Sequence, residues 1–119
     1  MRVLVADDSR VMRQIVIRTL RQAGFDWEIT EAADGAAALE LALEMDPDLV
    51  LSDWNMPTMS GIELLRQLQA TELDIPVGFV TSEGSTEMRA MADAAGALFL
   101  IAKPFTAEVF RDTIEPFLA

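Results

Sequence analysis

Val3-Leu4-Val5-Ala6-Asp7-Asp8-Ser9 is a short apolar run that ends abruptly in two carboxylates and a hydroxyl. The same arrangement returns three times: Leu49-Val50-Leu51 leads to Asp53, Val77-Gly78-Phe79-Val80 to Thr81, and Leu98-Phe99-Leu100-Ile101-Ala102 to Lys103-Pro104. Short apolar runs without polar alternation suit strands buried on both faces, the habit of parallel sheets. In such a sheet the carboxyl ends of the strands share one edge, so residues remote in sequence meet there. Three carboxylates, a hydroxyl and an ammonium on one edge make a site for a hard divalent cation and a phosphoryl group.

The segments between the runs have helical spacing, so strand and helix alternate five times, the pattern of an α/β fold. The first helix is expected from about Ser9 to Ala23, with Met12, Ile15, Val16, Leu20 and Ala23 on its buried stripe and Gly24 as its cap. That leaves Arg10, Arg13, Arg18 and Arg21 mainly outside. Trp27 to Ala32 alternates like a half-exposed edge strand, and Asp34-Gly35 turns into an alanine- and leucine-rich helix that must end before Pro47. Ser60 and Glu63 match a capping box for a third helix through Leu64, Leu65 and Leu68, after a loop from Trp54 to Met59 pinned by Pro57. Ser82 or Ser85 can cap a fourth helix carrying Met88, Met91, Ala92 and Ala95; Thr106 caps a fifth with Val109, Phe110, Ile114 and Phe117, which Pro116 ends or kinks.

Composition narrows the chemistry. A chain of 119 residues fits one domain, 1–119, and a net charge of -11 argues against nucleic acid or anionic membrane as a partner. Neither a signal-peptide pattern nor a run near the ~18 apolar residues of a membrane span is present, so a soluble cytoplasmic protein is expected. Without histidine or cysteine, imidazole acid/base chemistry, triads built on histidine and thiolate metal sites drop out. Taken singly, Asp8, Ser9, Ser82 and Thr106 could do no more than cap helices. Capping does not explain a doubled acid after the first run, a lone acid after the third, and the only lysine among nine basic residues placed after the last.

Asp7-Asp8-Ser9, Asp53-Trp54-Asn55-Met56-Pro57 with Ser60-Gly61, Thr81-Ser82-Glu83 and Lys103-Pro104-Phe105, in that order, resemble the receiver domain of two-component response regulators over essentially the whole chain. The single-domain length is most like the CheY-type members. The resemblance implies a flavodoxin-like five-stranded parallel sheet of order 2-1-3-4-5 with helices on both faces. It implies that Asp53 accepts a phosphoryl group from a sensor histidine kinase or phosphotransfer protein. Mg2+ would be held by Asp8, Asp53 and the carbonyl of Asn55, with Asp7 reaching it through water. Thr81 and Lys103 would hold the phosphoryl oxygens, and Lys103-Pro104 would be a cis peptide. Asn55 and Glu83 flank the site where the family tunes hydrolysis of the aspartyl phosphate. Such a protein catalyses only its own phosphorylation and dephosphorylation, and signals by changing its protein partner, chemotaxis being one such pathway.

One departure from the family pattern concerns the switch. Where the family couples the threonine to a Tyr or Phe on the fifth strand, this chain has Leu100, with Phe99 beside it. Leu100, Phe99, Met88 and Met91 mark the expected switch and partner surface, a face of helix four, strand five and helix five that binds a target or a second copy. The four arginines of the first helix are either a solvated face or a docking surface for the kinase or phosphotransfer protein. Trp54 is expected at the rim of the pocket as a reporter of metal binding. Three other functions compete. A haloacid-dehalogenase-like phosphatase would need spaced acids after the first strand and a cap domain. A flavodoxin-like electron carrier would need a Ser/Thr/Gly-rich phosphate loop there. A pseudo-receiver interaction module would usually lack an Asp, the Thr or the Lys, and none is missing.

Overall fold

Five strand segments join one parallel sheet in the computed structural model, which describes residues 1–118. In chain order the elements are β1 (Arg2–Ala6), α1 (Arg10–Gln22), β2 (Glu28–Ala32), α2 (Gly35–Met45), β3 (Leu49–Ser52), α3 (Gly61–Gln69), β4 (Val77–Thr81), α4 (Thr86–Ala95), β5 (Leu100–Ala102) and α5 (Ala107–Ile114). A 3-10 turn, Glu115–Phe117, follows α5 and carries Pro116 in its first turn, so the proline does stop α5. The sheet order is β2-β1-β3-β4-β5, as the resemblance implies. The sheet registers bring Ala6 beside Ala32 and Ser52, and Thr81 beside Ala102, so the functional residues after each strand share one edge.

Strand alternation divides the core into two layers. Val3, Val5, Leu49, Leu51, Val80 and Ile101 face Val16 and Leu20 of α1 and Phe110 and Ile114 of α5. Leu4, Ala6, Val50, Val77 and Phe79 face α2, α3 and α4, where Ala38 and Ala42 let α2 lie close to the sheet. Each helix begins at an oxygen-bearing cap: Ser9, Asp34, Ser60, Ser85 and Thr106 all accept a backbone N–H from the first turn. Of the two candidates for α4 the cap is thus Ser85. Gly24, with φ 96°, follows α1, and the N–H of Phe25 returns to the carbonyl of Leu20, a Schellman ending sealed by contact between those two apolar residues.

Three expectations are corrected. Ile15 lies off the buried stripe of α1 and is 38 % exposed, while Thr19 is buried in its place with its hydroxyl donating to the carbonyl of Ile15 at 2.7 Å. Arg13 is turned inward instead of lying outside, its side chain 13 % exposed. β5 begins at Leu100 and not at Leu98, because the chain leaves α4 through a left-handed Gly96 and takes three residues, Ala97 to Phe99, to settle onto the sheet. Leu98 N–H already bonds the carbonyl of Val77 on the way.

Candidate functional site

The side chains of the expected site arrive from the ends of four strands. β1 delivers Asp7 and Asp8, β3 Asp53, β4 Thr81 and β5 Lys103, and backbone bonds fix the register: Asp53 N–H to the carbonyl of Ala6 at 2.9 Å, Lys103 N–H to that of Thr81 at 2.8 Å. Carboxylate oxygens of Asp7, Asp8 and Asp53 lie within 4.8 Å of one another. Asp7 is buried, Asp8 exposed and Asp53 between, so the cluster forms a cup open on the Asp8 side. The ammonium of Lys103 stands 3.1 Å from Asp7 Oδ2 and 3.5 Å from Asp53 Oδ2. The Lys103-Pro104 peptide is cis.

Local hydrogen bonds hold the acids in place. Asp7 Oδ1 accepts the N–H of Ser9 at 2.9 Å, and Asp53 Oδ1 accepts that of Trp54 at 2.7 Å. Thr81 is fully buried, and its Oγ1 accepts the N–H of Glu83 at 3.3 Å. Burial pushes the Asp53 carboxyl above its ordinary value; Lys103, the Trp54 N–H and the Thr81 hydroxyl pull it down, Asp7 pushes it up, and burial prevails. One ammonium offsets one of three carboxylates, and all the side-chain donors are hard oxygens, so the residues fit Mg2+ and not a soft metal.

Around this cluster the structure adds residues that periodicity did not bring forward. Arg13 donates to the carbonyl of Asp7 at 2.8 Å and to Glu31 at 3.0 Å, tying the ends of β1 and β2 together. Asn55 Nδ2 donates to Glu83 Oε1 at 3.1 Å, bridging the loops after β3 and β4. Arg89 donates to the carbonyls of Gly84 and Leu100 at 3.3 and 3.1 Å, so it covers part of the outer edge of β5. Two other expectations shift. Trp54 lies in the core, its ring centroid 4.9 Å from that of Phe79, and not at the rim. Phe99 faces the layer of α1 and α5, its ring over Gly78 and against Phe117, whereas Leu100 faces the opposite layer with Met88. Phe99 therefore does not stand in for an aromatic at position 100. Met91, 48 % exposed, does lie on the outside of α4.

Comparison with known proteins agrees with this geometry. The family model described as response regulator receiver domain matches residues 3–115. Among curated proteins, the chain is 40 % identical over 117 residues to a chemotaxis protein CheY of Pseudomonas aeruginosa, covering 97 % of this chain and 94 % of that one. A chemotaxis protein CheY homolog of Campylobacter jejuni is 38 % identical over 121 residues, covering 99 % and 92 %. The solved structure of the chemotaxis response regulator CheY4 of Vibrio cholerae superposes with a TM-score of 0.85 at 36 % identity, covering 98 % of each chain.

Proposed function

The chain belongs to the response regulator receiver domain family, and from that premise we propose that it is a phosphoreceiver, modified on Asp53, whose phosphorylation changes its protein partner. The observation that carries the assignment is the meeting of Asp53 with Asp7, Asp8 and Lys103 at the carboxyl edge of the sheet. In the reaction a carboxylate oxygen of Asp53 attacks phosphorus in line with the bond to the donor. For a phosphohistidine the phosphorus–nitrogen bond breaks and the imidazole leaves with its electron pair. Asp8, Asp53 and the carbonyl of Asn55 would hold Mg2+, with Asp7 through water; bound there, the ion supplies the positive charge that keeps the acids ionised and neutralises the transferring group. Trp54 N–H orients Asp53, and Lys103, bonded to Asp7 and Asp53 beforehand, is in reach of the new phosphoryl oxygens.

A swing from 1:99 to 99:1 between two states takes ~5.5 kcal/mol of differential binding. One charge-assisted hydrogen bond gives about 1.5 to 3 kcal/mol, so Thr81 and Lys103 must both engage the phosphoryl group. With Leu100 where the family carries an aromatic, output passes through α4 by another route than an aromatic rotamer change. The partner face is the one formed by α4, β5 and α5, where Met91 and Val109 are exposed and Met88 and Leu100 half-buried. Its occupant is a downstream target or a second copy. Phosphoryl groups come from a sensor histidine kinase or phosphotransfer protein, for which Arg10, Arg18 and Arg21 on α1 offer exposed charge. The names of the relatives point to chemotaxis, and a cytoplasmic location accords with that role; among the described residues no helix is long and apolar enough to cross a membrane. Intact mass after incubation with acetyl phosphate is the test. One added phosphoryl group that requires both Mg2+ and Asp53 supports the reading, and an unmodified chain, or an adduct that persists in Asp53→Asn, overturns it.

A further inference from the structure

The loop that follows Asp53 contains a residue whose backbone is hard to explain by folding alone. Thr58 has φ 67°, in the left-handed region that a β-branched residue avoids and that Gly or Asn enters readily. Its hydroxyl accounts for its presence. Oγ1 accepts the N–H of Ala36 at 2.9 Å and donates to Asp34 Oδ1 at 3.1 Å, and that same oxygen accepts the N–H of Ala37 at 2.8 Å. The N–H of Gly35 bonds the carbonyl of Pro57 at 3.2 Å, and Gly35 lies so close to the loop that a β-carbon there would fall 2.1 Å from the carbonyl oxygen of Met59. The first turn of α2 thus grips the loop at Pro57, Thr58 and Met59. At its other end the loop is fixed by the Asp53 N–H on the carbonyl of Ala6 and by the Gly61 N–H on the carbonyl of Trp54.

We infer that Thr58, with Asp34, is a positioning residue for cation binding: the Thr58 hydroxyl clamps the loop to α2 and so sets the backbone of Asn55 between two fixed points. Neither residue belongs to the acid cluster, so the effect acts through the loop. The Ala37 N–H and the Thr58 hydroxyl also hold the Asp34 carboxyl below its ordinary value, which keeps it an acceptor for both. The inference rests on the reading above, in which the Asn55 carbonyl is a ligand of Mg2+.

Calorimetric titration of MgCl2 into the native chain and into Thr58→Ser, Thr58→Val and Thr58→Gly tests it, alongside urea unfolding of each. Val keeps the shape and the unfavourable backbone, whereas Gly relieves the backbone; both remove the hydroxyl. About tenfold weaker Mg2+ binding is expected in both, the lower end of effects for groups one step removed from a metal, with the Ser variant near native affinity. The Gly variant should weaken binding without losing its unfolding midpoint, which separates positioning from simple support of the fold. Native affinity in either the Val or the Gly variant, or a Ser variant as weak as they are, overturns the inference while leaving the receiver reading intact. No binding of Mg2+ by the native chain overturns both.

Discussion

Replacing Asp53 by Asn should make the metal-free protein more stable. At an effective dielectric near 20, Asp7, with oxygens within 4.8 Å, repels the Asp53 carboxylate by about 3.5 kcal/mol, and Lys103 at 3.5 Å attracts it by about 4.7 kcal/mol. Asp8 is exposed and screened, adding about 1 kcal/mol of repulsion, so the charge terms nearly cancel. What remains is the cost of taking a charge out of water in a side chain only 14 % exposed, about 2 kcal/mol against several for full burial. Asn retains an oxygen for the Trp54 N–H and lacks the charge, giving a net gain of about 1 to 2 kcal/mol. With a urea dependence near 1.5 kcal/mol per molar, the midpoint should rise by roughly 1 M in EDTA at pH 7, read by far-ultraviolet circular dichroism.

The pH dependence follows from the raised Asp53 carboxyl. The folded chain holds that proton more tightly than the unfolded chain does, so native stability falls as pH climbs above the ordinary 3.8 and through the raised value. The gap between native and Asn variant should therefore be small near pH 4 and full at pH 7. Saturating MgCl2 should reverse the order, because ligand at a hundred times its Kd adds about 2.7 kcal/mol to the chain that binds it well. An Asn variant no more stable than native in EDTA at pH 7, or a gap unchanged between pH 4 and 7, refutes the reasoning.

Gly35→Ala places a β-carbon against the Met59 carbonyl and should cost about 2 to 3 kcal/mol, lowering Tm by roughly 10 °C; a Tm within about 2 °C of native would mean that the loop yields easily. Thr81→Ala should still take one phosphoryl group from acetyl phosphate while the phosphate-dependent change in amide exchange over α4 and β5 diminishes. Leu100→Tyr should alter that same change, and exchange identical to native in both variants would remove Thr81 and position 100 from the switch.

The sheet was legible because β1, β3, β4 and β5 are apolar runs that end in residues a core does not need, and β2 alternates as an edge strand does. Capping residues fixed the helix starts for an equally local reason, an oxygen placed to meet orphan N–H groups. Arg13 was also within reach of the pattern: it stands three residues before Val16 and seven before Leu20, on the buried stripe, yet its charge argued for the outside. Its partner, a backbone carbonyl at the end of β1, has no signature in sequence. Thr58 was hidden more deeply, since threonine predicts an extended backbone and only the meeting of two distant loops makes the left-handed turn worthwhile. The facing of Phe99 and Leu100 depended on strand parity, which a run apolar at every position does not reveal.

The helices are not equally rooted in the molecule. α3 buries Gly61, Ile62, Leu64, Leu65 and Leu68, whereas α4 fully buries only Ala92, packs Met88 and Ala95 half-buried against the same layer, and is linked to its neighbours by the Arg89 side chain and by Gln69, which donates to the Ala95 carbonyl. Local opening free energy scales with buried apolar contact, so the molecule grades from a firm centre at β1, β3 and α3 to a loosely moored margin at α4 and β5. A helix with so little buried area can slide, tilt or fray while the sheet stays folded. The margin beside Thr81 is therefore the part of this chain whose rearrangement demands the least disruption elsewhere.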